Sequence, residues 1–87
     1  MGRLIEFYGT ECVHCKEMEP LIKKLQDDGI NIERLEVWHN SENAKLFQKA
    51  EKGRCGGVPF FWNENNDTFI CGNCDYEKLK AWAKGKK

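Results

Sequence analysis

The chain has 87 residues, 14 Lys plus Arg against 14 Asp plus Glu, and a hydrophobic fraction of 40% that includes five Phe, three Trp and two Tyr. This is enough apolar material to build a core, so intrinsic disorder is excluded and a single domain over residues 1–87 is expected. Zero net charge removes the hold a non-specific nucleic-acid binder needs, and no run nears the ~18 apolar residues of a membrane span.

The opening "MGRLIEF" has too short an apolar stretch for a signal peptide, and Glu6 stands where a myristoylation motif wants Ser or Thr. The expectation is a cytoplasmic monomer with no nucleic-acid or membrane partner, its basic "KGKK" end a solvated tail. Five cysteines in that compartment point to catalysis or metal binding rather than a disulfide framework. The odd count leaves at least one thiol unpaired within the monomer.

In chain order, "RLIEFYG" (3–9) reads as a buried strand with one charge, Glu6. From Val13 to Gln26 the residues Met18, Leu21, Ile22 and Leu25 recur at helical spacing, and Asp27-Asp28-Gly29 closes the helix, with Gly29 suited to a left-handed cap. "INIERLEVW" (30–38) reads as a second strand. A helix over 41–53 starts with Ser41 as its N-cap and turns Ala44, Phe47 and Ala50 inward.

"PFFWNENNDTFIC" (59–71) is a hairpin around a polar turn. Asp75 caps a last helix through Trp82, with Tyr76, Leu79, Trp82 and Ala83 inward. The order is β-α-β-α-β-β-α. A β-α-β unit demands a parallel pair and the hairpin adds antiparallel strands, so a mixed four-stranded α/β sheet with helices on both faces follows.

Two C-x-x-C pairs stand out, "CVHC" (12–15) and "CGNC" (71–74). Such a pair is a redox couple, half of a metal site, or an accident of composition. The 55 residues between them lie outside zinc-ribbon spacing of about 15–20.

The segment "EFYGTECVHCKEMEP" resembles the active-site segment of the thioredoxin superfamily. It has an acid six residues before the first cysteine, a Lys directly after the pair, and Pro20 five residues after Cys15. "GGVP" (56–59) resembles that family's cis-proline loop, and "ICGNCDYEKLKAW" resembles the end of a glutaredoxin, the short form of the fold. The resemblance covers nearly the whole chain. It implies a thioredoxin fold and a thiol–disulfide oxidoreductase that acts on disulfide-containing proteins.

On that resemblance Cys12 sits at the N-terminus of a helix, where free N–H groups and the helix dipole favour negative charge, and a thiolate is the nucleophile. Cys15, one turn below, is the resolving thiol. A partly protonated His14 favours the thiolate further and raises the reduction potential. Pro20 within the helix costs about 3 kcal/mol and kinks it; in the family the kink lets the helix start reach the active site while its body packs on the sheet. Val58-Pro59 in the cis form turns backbone groups toward an extended substrate.

Glu6 is the family's buried acid, which takes the proton of Cys15. Burial without a cation is expected to hold its pKa above the ~4.3 of a free Glu. Cys74 and Asp75 match positions that hold the γ-glutamyl end of glutathione, whereas Glu11 would repel its glycine carboxylate. No resident cofactor is expected; a reductase or glutathione would recycle the dithiol.

Cys71 and Cys74 remain open between a second dithiol, a metal site and two reduced loop thiols. Cys55 reads as a small buried hydrophobe. The alternative function is a zinc or iron–sulfur binding or delivery protein that uses both pairs.

Overall fold

The apolar run after Arg3 forms strand β1 (Leu4–Tyr8) at the centre of the fold, in a computed structural model that describes residues 3–85. Helix α1 (Val13–Asp27), strand β2 (Glu33–Glu36), helix α2 (Ser41–Glu51), strands β3 (Phe60–Asn63) and β4 (Thr68–Cys71), and helix α3 (Tyr76–Ala83) follow. The sheet order is β2-β1-β3-β4. β1 and β2 run parallel, with Glu6 opposite Arg34, while β3 is antiparallel to both β1 and β4. This is the expected mixed α/β sheet.

Alternation along β1 decides which residue meets which helix. Ile5 and Phe7 join Val37, Phe60 and Ala50 in a core under α2. On the other face, Met18, Ile22 and Leu25 of α1 pack with Leu79 and Trp82 of α3 over Phe61 and Ile70. Helices therefore cover both faces, and Glu6 points to the α1 side between the apolar positions Ile5 and Phe7.

The end of α1 follows its sequence. Gly29 has φ +88°, its N–H bonds the Gln26 carbonyl at 3.0 Å, and the N–H of Ile30 bonds the Leu25 carbonyl at 3.0 Å. That is a Schellman closure, with Ile30 and Leu25 meeting in the same core. Pro20 lies inside α1 without ending it. It has no N–H to give the Lys16 carbonyl one turn back, and the helix nonetheless runs on for seven residues because its apolar face is packed.

Three boundaries differ from the sequence reading. β2 is four residues rather than nine, since it is an edge strand paired only with β1, and that pairing spans Ile5 to Tyr8. Ile32 is buried all the same, packing against the α1 side from outside the ladder. The N-cap of α2 is Asn40 rather than Ser41: its side-chain oxygen accepts the Asn43 N–H at 3.0 Å. That helix also ends earlier, at Glu51, with Lys52 in the left-handed region.

Candidate active site

Cys12 is the N-cap residue of α1, at the end of the short turn that leaves β1. Its own N–H bonds the Gly9 carbonyl at 3.0 Å, and its Sγ accepts the Cys15 N–H at 3.1 Å. The sulfur thereby takes the place of the oxygen of a usual cap, facing the free N–H groups of the first turn. It also lies 3.9 Å from the Val58 carbonyl oxygen. Both cysteines are free thiols, Cys12 6% and Cys15 1% exposed. Burial, the Cys12 sulfur and the Glu6 carboxylate all raise the Cys15 thiol, which is pushed up to about 12.

The turn that carries Cys12 is held from the far side. Glu36, at the end of β2, accepts the Thr10 N–H and hydroxyl at 3.0 Å each, the Trp38 N–H at 3.2 Å and the His39 N–H at 2.7 Å. His39 Nε2 in turn meets Glu11 at 2.9 Å. The Trp38 indole lies on Gly9, so that a methyl at Gly9 would run into the ring. Trp38, on Gly9, and Val13, next to Cys12 in the chain, remain exposed at 51% and 67%.

Glu6 is fully buried, and here the structure corrects the expectation of burial without a cation. Arg34 Nε lies 2.6 Å from Glu6 Oε1, the guanidinium stacking on Tyr8 and reaching Glu19 at 3.4 Å. Glu6 Oε2 is buried with no donor among the described residues. Burial raises the carboxyl to about 7; the Arg34 bond opposes that rise and the Glu19 charge adds to it. One hydrogen bond from a partly solvated guanidinium does not offset full desolvation of the charged form.

His14 pairs with Glu17 rather than with a sulfur. Its exposed ring meets Glu17 at 3.0 Å, and Asn73 bonds the same Glu17 oxygen at 3.0 Å. The His14 bond is the first cause that holds the Glu17 carboxyl below its usual range. Val58-Pro59 is cis, with Pro59 fully buried and the Val58 carbonyl toward Cys12. Asp75 is the N-cap of α3, its Oδ1 taking the Lys78 N–H at 2.8 Å.

The reading of Cys71 and Cys74 as a second dithiol is overturned. Cys71 is bonded to Cys55, 16 residues earlier, with Cα atoms 5.5 Å apart, and Cys74 is a free thiol. Alternation along β4 is the reason. Cys71 stands opposite Phe60, on the α2 side where Cys55 also packs, whereas Cys74 lies beyond the Gly72 turn and packs with the α1 side. Cys55 is therefore half of a cross-link rather than a buried hydrophobe. With Cys71 in a disulfide, the two C-x-x-C pairs are not four free thiolates, and no three His, Cys, Asp or Glu among the described residues are grouped as metal ligands. The Cys55–Cys71 bond and the Arg34–Glu6 pair are the features near the site that sequence reasoning missed.

A fold of this order, with a buried dithiol at a helix start and a cis-proline across from it, defines a thioredoxin-like protein. The thioredoxin family model matches residues 2–84, and the chain belongs to that family. A search of curated proteins finds no match. Among the described residues no helix is long and apolar enough to cross a membrane.

Proposed function

We propose that the protein is a thiol–disulfide oxidoreductase that works through Cys12-Val13-His14-Cys15. The observation that carries this reading is the Cys12 sulfur at the N-cap of α1, 3.1 Å from the Cys15 N–H and 3.9 Å from the Val58 carbonyl. The helix start favours a thiolate, and Val58-Pro59 offers backbone to an extended substrate beside it.

The Cys12 thiolate attacks one sulfur of a substrate disulfide, and the substrate's other sulfur leaves as a thiolate. Cys15 then gives its proton to Glu6 and attacks Cys12 Sγ. A Cys12–Cys15 disulfide forms, the second substrate thiolate departs, and two electrons have passed to the substrate. Glu6 suits the proton step because its carboxyl sits at about 7 and its Oε2 is unoccupied by any donor among the described residues. In the mixed disulfide Cys12 carries no charge, so one cause of the raised Cys15 pKa is gone.

The substrates on this reading are disulfide-bearing proteins, met by the exposed apolar side chains of Val13 and Trp38, and a reductase or glutathione recycles the dithiol. Asp75 spends one oxygen on its own helix cap, so its contribution to glutathione is limited to the other. A cytoplasmic location places Cys55–Cys71 in a reducing milieu, where disulfides are usually transient and functional. Reduction of insulin by dithiothreitol, followed by turbidity with and without the protein, tests the activity: acceleration lost in Cys12→Ser supports it, and no acceleration by the wild type overturns it.

A further inference from the structure

Cys71 and its neighbour Gly72 hold both ends of the segment 55–59. The disulfide ties Cys55, and the Gly72 N–H bonds the Pro59 carbonyl at 2.8 Å. Between the two ties lie Gly56, with φ +79°, Gly57 and Val58. A methyl added at either glycine would meet nothing within 4 Å, so side-chain packing does not hold those two positions, and Val58 is only partly buried against the α2-side core. Yet its last member carries the carbonyl that faces Cys12. One of the ties on the docking backbone, beside the Gly72 bond and the Glu51 bonds to Cys55 and Gly56, is therefore a bond that a thiol can open.

The surroundings keep the two sulfurs poised to re-form that bond. Glu51 accepts the N–H groups of Gly53, Cys55 and Gly56 at 2.9, 3.0 and 2.9 Å. Arg54 is anchored to the Ala50 carbonyl at 2.6 Å and to Asp67 at 3.1 Å. Cys71 keeps its place opposite Phe60 in the β3–β4 ladder. Little chain ordering is needed to close the pair again, which gives the two thiols a high effective concentration. Cys71 is exposed and Cys55 half-buried, so an external thiolate has access. The remaining free thiol, Cys74, packs on the opposite face, and burial raises it above its usual value.

We propose that Cys55–Cys71 is a second, reversible two-electron couple, opened by a dithiol, which sets how firmly Gly56–Pro59 is held for substrate docking at Cys12. Its effect on docking rests on the oxidoreductase reading above. A thiolate of the dithiol attacks the Cys71 sulfur, the Cys55–Cys71 bond breaks, and Cys55 leaves as a thiolate that takes up a proton. The dithiol's second thiol, losing its proton, then attacks the sulfur already bonded to Cys71. Cys71 is released and protonated, and the dithiol has become a disulfide. The pair gains two electrons and two protons; a disulfide reverses the exchange.

The test begins with the Cys12→Ser/Cys15→Ser/Cys74→Ser variant in buffers of reduced and oxidised dithiothreitol, with alkylated thiols counted by mass. The expected result is a single reversible step that exposes two thiols together in a protein still folded by circular dichroism. Backbone ¹⁵N relaxation should show the order parameters of Gly57 and Val58 falling from near 0.85 to below about 0.6 on reduction. Thiols that appear only with unfolding overturn the couple and leave a plain structural staple; unchanged order parameters overturn its hold on Gly56–Pro59.

Cys55→Ser/Cys71→Ser in an otherwise native chain should raise the KM for a protein disulfide about three- to tenfold with kcat within twofold. An unchanged KM in the folded variant overturns the link to docking. Absence of activity in the native protein as well would defeat the oxidoreductase reading, and with it the link to docking, while thiol counts still decide the couple and order parameters its hold on the segment.

Discussion

Arg34 Nε lies 2.6 Å from Glu6 Oε1, while Oε2 of the same buried carboxyl meets no donor among the described residues. The pair is thus half of a bidentate contact, and the uncapped oxygen is where a proton resides when the carboxyl is neutral. Parallel pairing places Arg34 directly across from Glu6, and the bare oxygen belongs to a group whose charge reaches Cys15.

That arrangement gives a stability profile with a definite sign. The Glu6 carboxyl rises from 4.5 in the open chain to about 7 in the fold. Between these values the folded state holds a proton that the unfolded state has lost, so stability falls as pH rises from about 4.5 through about 7 and levels off above. The loss is about 3 kcal/mol. Glu6→Gln removes this component, so urea melts from pH 4.5 to 8 should show the variant gaining about that much relative to the wild type. Parallel profiles would show that Glu6 does not carry a raised pKa.

The two active-site cysteines are predicted to behave unequally. Cys15→Ser leaves the Cys12 sulfur at the helix start and removes the resolving thiol, so mixed disulfides with substrates should accumulate on non-reducing gels. Cys12→Ser leaves only the deeper thiol, which burial still raises, and should trap none and reduce nothing. Comparable trapping by both variants would reverse the assignment.

The reduction potential is expected above the ~ −270 mV of thioredoxin. Positive charge in the first turn favours the reduced form of a dithiol at a helix start, and His14 is the first-turn residue able to carry it. Glu17, 3.0 Å from the ring, offsets part of that charge, so the effect should be modest. Equilibration with glutathione buffers measures it. A potential at or below −270 mV, or no fall in His14→Pro, is the contrary result.

Gly9→Ala should destabilise the protein by about 1–3 kcal/mol, as overpacking does, because the new methyl drives the Trp38 indole off its seat. Denaturant melts give the loss, and a shift in tryptophan emission reports the displaced ring. A variant of native stability with unchanged emission would mean that the indole does not rest on Gly9 in solution.

Much of this was legible because it is local. The periodicity from Met18 to Leu25 and the glycine at 29 place α1 and its closure, since helix phase and a left-handed cap depend on residues within a turn or two. The dithiol's position was legible in the same way, from a strand run, a C-x-x-C and Pro20 at its spacing. Asp75 as a cap needs only the three residues that follow it. Asn40 was missed beside Ser41 because both residue types serve as caps, and only the backbone angles and the accepted N–H tell them apart.

Tertiary structure decided the pairings over distance. Nothing near Glu6 in sequence announces Arg34, 28 residues on; the strand register brings the two together, and a shift of one residue would turn Arg34 to the other face. Likewise "CGNC" has the spacing of a dithiol, but the pleat of β4 sends Cys71 to the α2 side and the Gly72 turn leaves Cys74 on the other. Cys55 then meets Cys71 because Glu51 folds the loop before Pro59 back against that face. The sequence by itself determined the elements and the dithiol, which rest on short-range geometry. Which charge faces the buried acid, and which cysteine closes on which, depended on sheet register and side-chain parity, set only when distant segments pack.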